Sequence, residues 1–168
     1  MIVYTIGHSN RPLPDFIAFL QAQAIKLLVD VRSIPRSRHN PQFNLDTLPD
    51  SLREYSIAHM HSKELGGLRK SRADSLNQGW RNASFRGYAD YMQTPEFEAA
   101  LQQLIAQAEQ QTTAVMCAEA VPWRCHRALI ADALLGRCSE LWDIVGPGQL
   151  RARVLTRFAH VEGAGITC

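Results

Sequence analysis

Lysine is scarce in this chain. Of 18 basic residues only three are lysine (Lys26, Lys63, Lys70), and the other 15 are arginine. An excess of charge of one sign is also lacking. The formal net charge is +2, too small to mark a nucleic-acid binder by itself. No apolar run approaches the ~20 residues that a membrane helix needs. The opening MIVYTIGHSN has no basic stretch followed by a long apolar segment, so no secretory signal is expected and the cytoplasm is the expected compartment. A C-x2-C pair, the usual mark of structural zinc, is absent. Four cysteines, at 117, 125, 138 and 168, do not make a disulfide framework in a chain of this length. What remains is an ordinary globular composition, 46% hydrophobic and 20% charged in 168 residues, enough for one domain with a full core.

Apolar runs alternate between two periods along the chain. Val3 to Ile6 reads as a strand ended by Gly7. Residues 14–24 carry Phe16, Ile17, Phe19 and Leu20 at helical spacing behind Pro14. KLLVDVRS, 26–33, reads as a buried strand, and prolines 35 and 41 make the next stretch a loop. A helix is expected over about 46–55, a short strand over 56–61, and a long polar, glycine-containing insertion over about 62–93 that would fold over the sheet edge as a lid. Thr94-Pro95-Glu96 starts a helix with Phe97, Leu101, Leu104, Ile105 and Ala108 on one face. AVMCAE is a fourth strand, RCHRALIADALLG a helix stopped by Gly136, and ELWDIV a fifth strand. The tail at 147–168 reads as either a last strand or an arm. Strands alternating with helices predict a single-domain, three-layer α/β/α fold around a mostly parallel sheet of about five strands.

Such folds bind ligands outside the carboxyl ends of their strands. The residues just past the apolar runs are Gly7-His8-Ser9-Asn10, Asp30 to Arg32, His61 with Leu65-Gly66-Gly67, and Cys117 to Glu119. All four sets are expected to share one edge.

The last of these sets raises the sharpest question. In TTAVMCAEAVPWRCHRALIADALLG, 112–136, two cysteines, a histidine, a glutamate and two arginines crowd into one strand-to-helix turn. Cys117 reads either as a buried strand-end thiol or as a nucleophile whose pKa is lowered by the helix amides ahead of it. Glu119 reads as a base, a partner that orients a histidine, or an ion-pair acid. His126 shares a helical face with Ile130, Ala133 and Leu134, so it either packs inward or moves protons. His8 is an acid–base candidate, and the following Ser9 and Asn10 either bind a ligand or cap a turn. Arg32, Arg36, Arg38, Arg69, Arg124 and Arg127 carry planar forks of donors suited to phosphate. The competing readings are salt bridges to Asp30 or Glu119, or a genome-wide bias towards arginine codons. Gly66 and Gly67 either turn the chain or admit a ligand close to the backbone. His61 ends the third strand beside them. Tyr88 and Tyr91, with Trp80, Phe85, Arg81 and Arg86, mix aromatic and basic groups as base-stacking surfaces do, or turn inward beneath a lid. Cys117, Cys125, His126, His8 and His61 are possible metal ligands, but adjacent Cys125 and His126 point apart on a helix. No metal or other cofactor is expected.

Five blocks, YTIGHSN (4–10), VDVRSIPRSR with NPQF (29–43), ELGGLR (64–69), FRGYADYM (85–92) and MCAEAVPWRCHR (116–127), resemble in order and spacing the domain of unknown function 488 family. The likeness runs to about residue 146. It implies a small bacterial or archaeal α/β protein and names no reaction. The 117–127 layout of strand, cysteine, loop, arginine and helix also resembles in outline cysteine phosphatases, arsenate reductases and rhodaneses. The loop departs from the phosphatase form. It is one residue longer, carries Pro122 and Trp123, and lacks the glycines of a phosphate cradle.

Two functions are therefore expected. The first is a cysteine-dependent hydrolase or transferase acting on an anionic, phosphate-bearing substrate, a nucleotide or nucleic acid among the candidates. The alternative is a non-catalytic nucleotide- or nucleic-acid-binding module. A metal protein is a third reading, and no membrane partner is expected.

Overall fold

The computed structural model describes residues 1–137, 140–162 and 165–167. Cys138 and Cys168 lie outside the described residues. The elements follow in the order β1 (Ile2–Gly7), α1 (Leu13–Ala22), β2 (Leu27–Asp30), α2 (Leu48–Arg53), β3 (Ala58–His61), α3 (Ala83–Tyr91), α4 (Pro95–Gln110), β4 (Thr113–Cys117), α5 (Arg127–Leu135), β5 (Glu140–Gly146) and β6 (Gln149–Ala152). A hairpin of β7 (His160–Glu162) and β8 (Gly165–Thr167) follows. The main sheet has six strands in the order β3-β2-β4-β1-β5-β6. Its first five strands run parallel, and β6 returns antiparallel along β5. The parallel α/β architecture is thus as the sequence predicts, with β6 as one strand more than the expected five. Gly146, Pro147 and Gly148 turn the chain back to form it, and its four residues are all exposed. That exposure removes the apolar signal by which a strand is read.

Helices cover both faces because the inner strands are apolar on both sides. On one face Val3, Val29, Val115 and Leu141 pack with Leu101 and Leu104 of α4 and with Leu129, Ile130 and Leu134 of α5. On the other, Ile6, Leu28, Met116 and Ile144 pack with Phe16, Ile17 and Leu20 of α1 and Leu48 and Leu52 of α2. α4 is an ordinary amphipathic helix. The Thr94 hydroxyl accepts the Phe97 amide at 3.3 Å, Pro95 occupies the first turn, and Glu96 and Glu98 suit the dipole. α5 is different, since its residues from Arg127 to Leu134 are all buried.

The expected helix over 124–136 is corrected at its start. Pro122 opens a short 3-10 turn, Pro122–Arg124, and Cys125 then runs extended at φ −130°, ψ 149°. The turn and the extended step at Cys125 interrupt helical geometry, so Cys125 and His126 precede the helix.

Alternation along each strand sorts the sheet's end into two faces. Cys117, in step with Thr113 and Val115, faces α4 and α5. Asp30 and His8, in step with Leu28 and Ile6, face α1 and α2. Where β1 meets β4, the His8 amide donates to the Cys117 carbonyl at 3.0 Å and the Ser9 amide to the Ala118 carbonyl at 2.9 Å. Gly7 lies directly under the segment 118–121. A Cβ there would fall 1.9 Å from the Glu119 carbonyl oxygen and 2.7 Å from the Ala120 Cα. Both obstacles are backbone, so Gly7→Ala is expected to cost about 2 kcal/mol or more. Urea unfolding checks this: a midpoint within error of wild type would show that the segment moves aside without cost.

Candidate functional site

Parallel register sets the strand ends side by side. Gly7 lies opposite Cys117, and Asp30 opposite both Met116 and His61. The turns that follow carry polar side chains, and these gather in two neighbouring clusters.

The first cluster, on the α1–α2 face, is built on Arg32. Its Nε and Nη2 donate to Oδ1 and Oδ2 of Asp30 at 2.9 and 2.7 Å, a bidentate pair with the carboxylate wholly buried. The same Nη2 donates to the Phe43 carbonyl at 2.6 Å, and Nη1 approaches Nε2 of His8 at 3.2 Å. A guanidinium can only donate, so the His8 Nε2 is the unprotonated acceptor. Its Nδ1 then carries the hydrogen and donates to the Ser9 carbonyl at 2.7 Å. The ring stacks on Phe43 at 4.4 Å between centroids. Burial lowers the His8 pKa to about 4; the Ser9 bond opposes this and the Arg32 charge adds to it. Burial alone would raise the Asp30 carboxyl, but the Arg32 hydrogen bonds and charge outweigh it and hold the group at about 2. His59 adds a ring nitrogen 3.7 Å from Asp30 Oδ2, longer than a hydrogen bond. His61 donates from Nε2 to the Arg32 carbonyl at 2.8 Å.

Above this cluster lies an open cleft of about 400 Å³. His8, Ser9, Asn10, Arg32, Arg36, Ser37 and Asn40 line it, and Ala118, Glu119 and Ala120 form its far wall. Ser9 holds φ at +50°, a left-handed turn that costs a non-glycine residue energy. Glu119 is exposed, and one carboxylate oxygen accepts the Val121 amide at 3.0 Å.

The second cluster, on the α4–α5 face, lies behind that wall. Cys117 is 1% exposed and Cys125 is likewise buried. The Cys117 thiol donates weakly to the Glu119 carbonyl at 3.8 Å. The neighbouring Cys125 thiol lowers the Cys117 pKa, burial opposes it and the Arg127 charge reinforces it, while Cys117 and burial push Cys125 up. His126 donates from Nε2 to the Val31 carbonyl at 2.9 Å, which leaves Nδ1 as an acceptor 3.5 Å from the Cys125 sulfur. Burial lowers the His126 pKa, and the Arg127 charge lowers it further. Arg127, the first residue of α5, is 2% exposed. Its Nε and Nη1 have no hydrogen-bond partner, and its Nη2 reaches only the Ala120 carbonyl at 3.5 Å.

The remaining residues singled out by sequence lie as follows. Gly66 and Gly67 pack beside Ser33 and His126, where a Gly67 Cβ would sit 3.1 Å from the imidazole Nδ1. Arg69 donates to the Gly66 carbonyl at 3.2 Å and lies over the Tyr91 ring at 3.7 Å. Tyr88 is buried, donating its hydroxyl to the Leu65 carbonyl at 2.7 Å and lying 5.1 Å from the His126 ring. Trp80 packs on Phe85 and Phe158, so the aromatics of the insertion turn towards the protein. Arg36 lines the cleft, Arg38 is exposed outside it, and Arg124 is exposed on the 3-10 turn. Sequence reasoning passed over Phe43, Ser37, Asn40 and Arg11. Phe43 and Asn40 stand in the quoted NPQF block, which was the available signal. Arg11 donates to the Gly7 carbonyl at 3.3 Å and has its pKa lowered, first by burial and then by Arg127; nothing in the sequence marks it. Among the described residues no group of three or more His, Cys, Asp or Glu side chains is placed to hold a metal. Nor is any helix among them long and apolar enough to cross a membrane.

A parallel α/β domain with its polar groups gathered at the carboxyl edge defines the class. The chain matches the family described as Domain of unknown function DUF488 over residues 12–134, and it belongs to that family. Comparison with curated proteins and with solved structures returns no match.

The neutral, buried His8 gives stability a definite pH dependence. Its folded pKa, about 4, lies below the ordinary 6.5, so on acidification the unfolded chain takes up the proton first. Stability is therefore expected to fall between pH 6.5 and 4 by on the order of 2 kcal/mol. The loss through Asp30 comes at more acid pH, as the pH falls towards about 2. His8→Asn is expected to be less stable at neutral pH, having lost the Phe43 stack, but flatter across that window. Urea denaturation at stepped pH decides it: an unchanged slope in His8→Asn would assign the dependence to other groups.

Proposed function

We propose that the protein is an enzyme acting on a phosphate-bearing substrate at the carboxyl edge of the sheet, with Cys117 as nucleophile. The observation that carries this reading is Arg127. A guanidinium cannot shed its charge, and a buried charge without a counter-ion costs several kcal/mol. Here two of its nitrogens are unpartnered at 2% exposure. The anionic groups its position suits are a Cys117 thiolate and the phosphate of a ligand. Arg32 supports the site differently. Its fork is filled by Asp30 and Phe43, so it braces the cleft floor and leaves Arg36 and Arg127 as the cations for a phosphate.

The segment 118–121 separates thiol from cleft. Arg127 Nη2 and the Ser9 amide hold it by its carbonyls. Lifting it would expose thiolate and guanidinium together to a phosphate bound against Arg36, Ser9 and Asn10. Displacement at phosphorus then forms a bond to the Cys117 sulfur and releases the leaving group with its electron pair. Glu119, exposed in the cleft wall, orients a water that supplies the proton to the leaving group. His8 has both ring nitrogens engaged and positions the cleft floor.

Turnover of a panel of phosphomonoesters and phosphodiesters by the full chain tests this. Cys117→Ser is expected to lose activity by at least about 100-fold, while Cys125→Ser retains substrate binding. Native Cys117 is expected to alkylate near pH 7 ahead of Cys125, and more slowly in Arg127→Met. Undiminished turnover in Cys117→Ser would remove the nucleophile, and Cys117 inert to alkylation with and without phosphate would remove the thiolate.

A further inference from the structure

We propose that the substrate is a nucleoside phosphate, with its phosphate in the cleft and its base in an apolar hollow beside it. The phosphate end rests on the reading of the cleft given above; the base end rests on the hollow alone.

The hollow, of about 440 Å³, lies between the segment that follows β2 and the one that precedes α2. Ile34 and Arg36 line both it and the cleft, so the two are neighbours across one pair of side chains. Pro35 and Leu45 are its other apolar walls. Ile34 is 66% exposed and Leu45 38%, which leaves apolar surface whose covering favours binding. Single exposed apolar residues are ordinary. Three gathered about one concavity, next to a polar cleft, are what a small-molecule site presents. The walls are held in place without a ligand. The Leu45 amide donates to the Pro35 carbonyl at 3.0 Å, and the Ser37 amide to Asn44 Oδ1 at 2.7 Å. Arg32 fixes the Phe43 carbonyl beside them. A ligand therefore meets a preformed surface and loses little affinity to ordering it.

Charge decides what fits. Arg36 is exposed between cleft and hollow and has no ion-pair partner among the described residues. Its fork suits a phosphate. Asp46 lines the hollow and not the cleft, and it too is without an ion-pair partner among the described residues. A carboxylate there repels a second anionic group and accepts hydrogen bonds from N–H donors. The matching ligand is thus anionic at one end, apolar in its body, and carries N–H donors at the other end. A nucleobase meets these demands. It offers apolar faces to Ile34, Pro35 and Leu45 and an amino edge to the carboxylate, the pairing by which Asp reads cytosine. Its sugar crosses the divide at Ile34 and Arg36. A plain sugar phosphate leaves the hollow empty, and a bisphosphate sets charge against Asp46.

Calorimetry on the full chain measures binding of inorganic phosphate, ribose phosphate, phenyl phosphate and cytidine monophosphate, with phosphate release followed in the same samples. Cytidine monophosphate is expected to bind at least about tenfold more tightly than ribose phosphate. Leu45→Ser keeps the backbone bond to Pro35. It is expected to cut that advantage at least about fivefold and to leave ribose phosphate affinity unchanged. Asp46→Ala is expected to weaken cytidine monophosphate about threefold and phenyl phosphate not at all. Both side chains are exposed, so neither change touches the core. Equal affinity for cytidine monophosphate and ribose phosphate overturns the hollow as a base site. Equal affinity for cytidine monophosphate and phenyl phosphate overturns the nucleoside assignment. So does a nucleotide advantage that survives both substitutions, or no binding of any of the four. The enzyme reading fails separately. Leu45-dependent nucleotide binding without phosphate release supports the hollow and removes the enzyme. Release from sugar, aryl and nucleoside phosphates alike, with no preference among them, does the reverse.

Discussion

Arg32 is the tie on which the architecture of the sheet edge depends. One planar fork meets the Asp30 carboxylate at the end of β2, the Phe43 carbonyl in the loop before α2, and the His8 ring at the end of β1. Three chain segments distant in sequence are thereby locked, and the cleft gains a rigid polar floor. Lysine could not replace it, because a single ammonium on a flexible stem cannot hold a carboxylate bidentately and reach two further acceptors.

Arg127 is its opposite. It is no less buried, yet two of its nitrogens go unmatched, and its field reaches His8, Arg11, Cys117, Cys125 and His126. Where Arg32 is stabilised by its own carboxylate, Arg127 has a thiol that its charge draws towards ionisation. An unmet buried charge is unfavourable for the fold and useful for chemistry. The thin segment 118–121, pinned from both sides by backbone contacts and crowded against Gly7, is all that stands between this charge and the cleft. The proposed catalysis works through that same pair of thiol and guanidinium.

Much of this was legible before any coordinates. The strands at β1, β2, β4 and β5 declare themselves by short, uninterrupted apolar runs, and α4 by its period and its Thr94-Pro95-Glu96 start. Knowing only that parallel strands end on one side, one could place His8, Asp30, His61 and Cys117 on a common edge. β6 was legible only as one of two readings of the tail, because an exposed edge strand has no buried face to pattern. The start of α5 was misread because charged residues at 124–127 resemble a first helical turn, whereas the chain first makes the Pro122–Arg124 turn and an extended step at Cys125.

The division of labour between the arginines shows where sequence stops. The chain by itself determined the class of fold, the family and the set of strand-end residues, since these follow from local periodicity and from blocks of fixed spacing. It could not say which arginine is neutralised and which is left unmatched. Arg124 and Arg127 stand three positions apart in one turn, yet one is exposed and the other buried behind the sheet. Nor could it say that Cys117 and His8, neighbours across two strands, face opposite sides. Burial and pairing are properties of the whole packed chain, and the sign of a side chain's role at this edge is decided by which face of the sheet the register turns it towards.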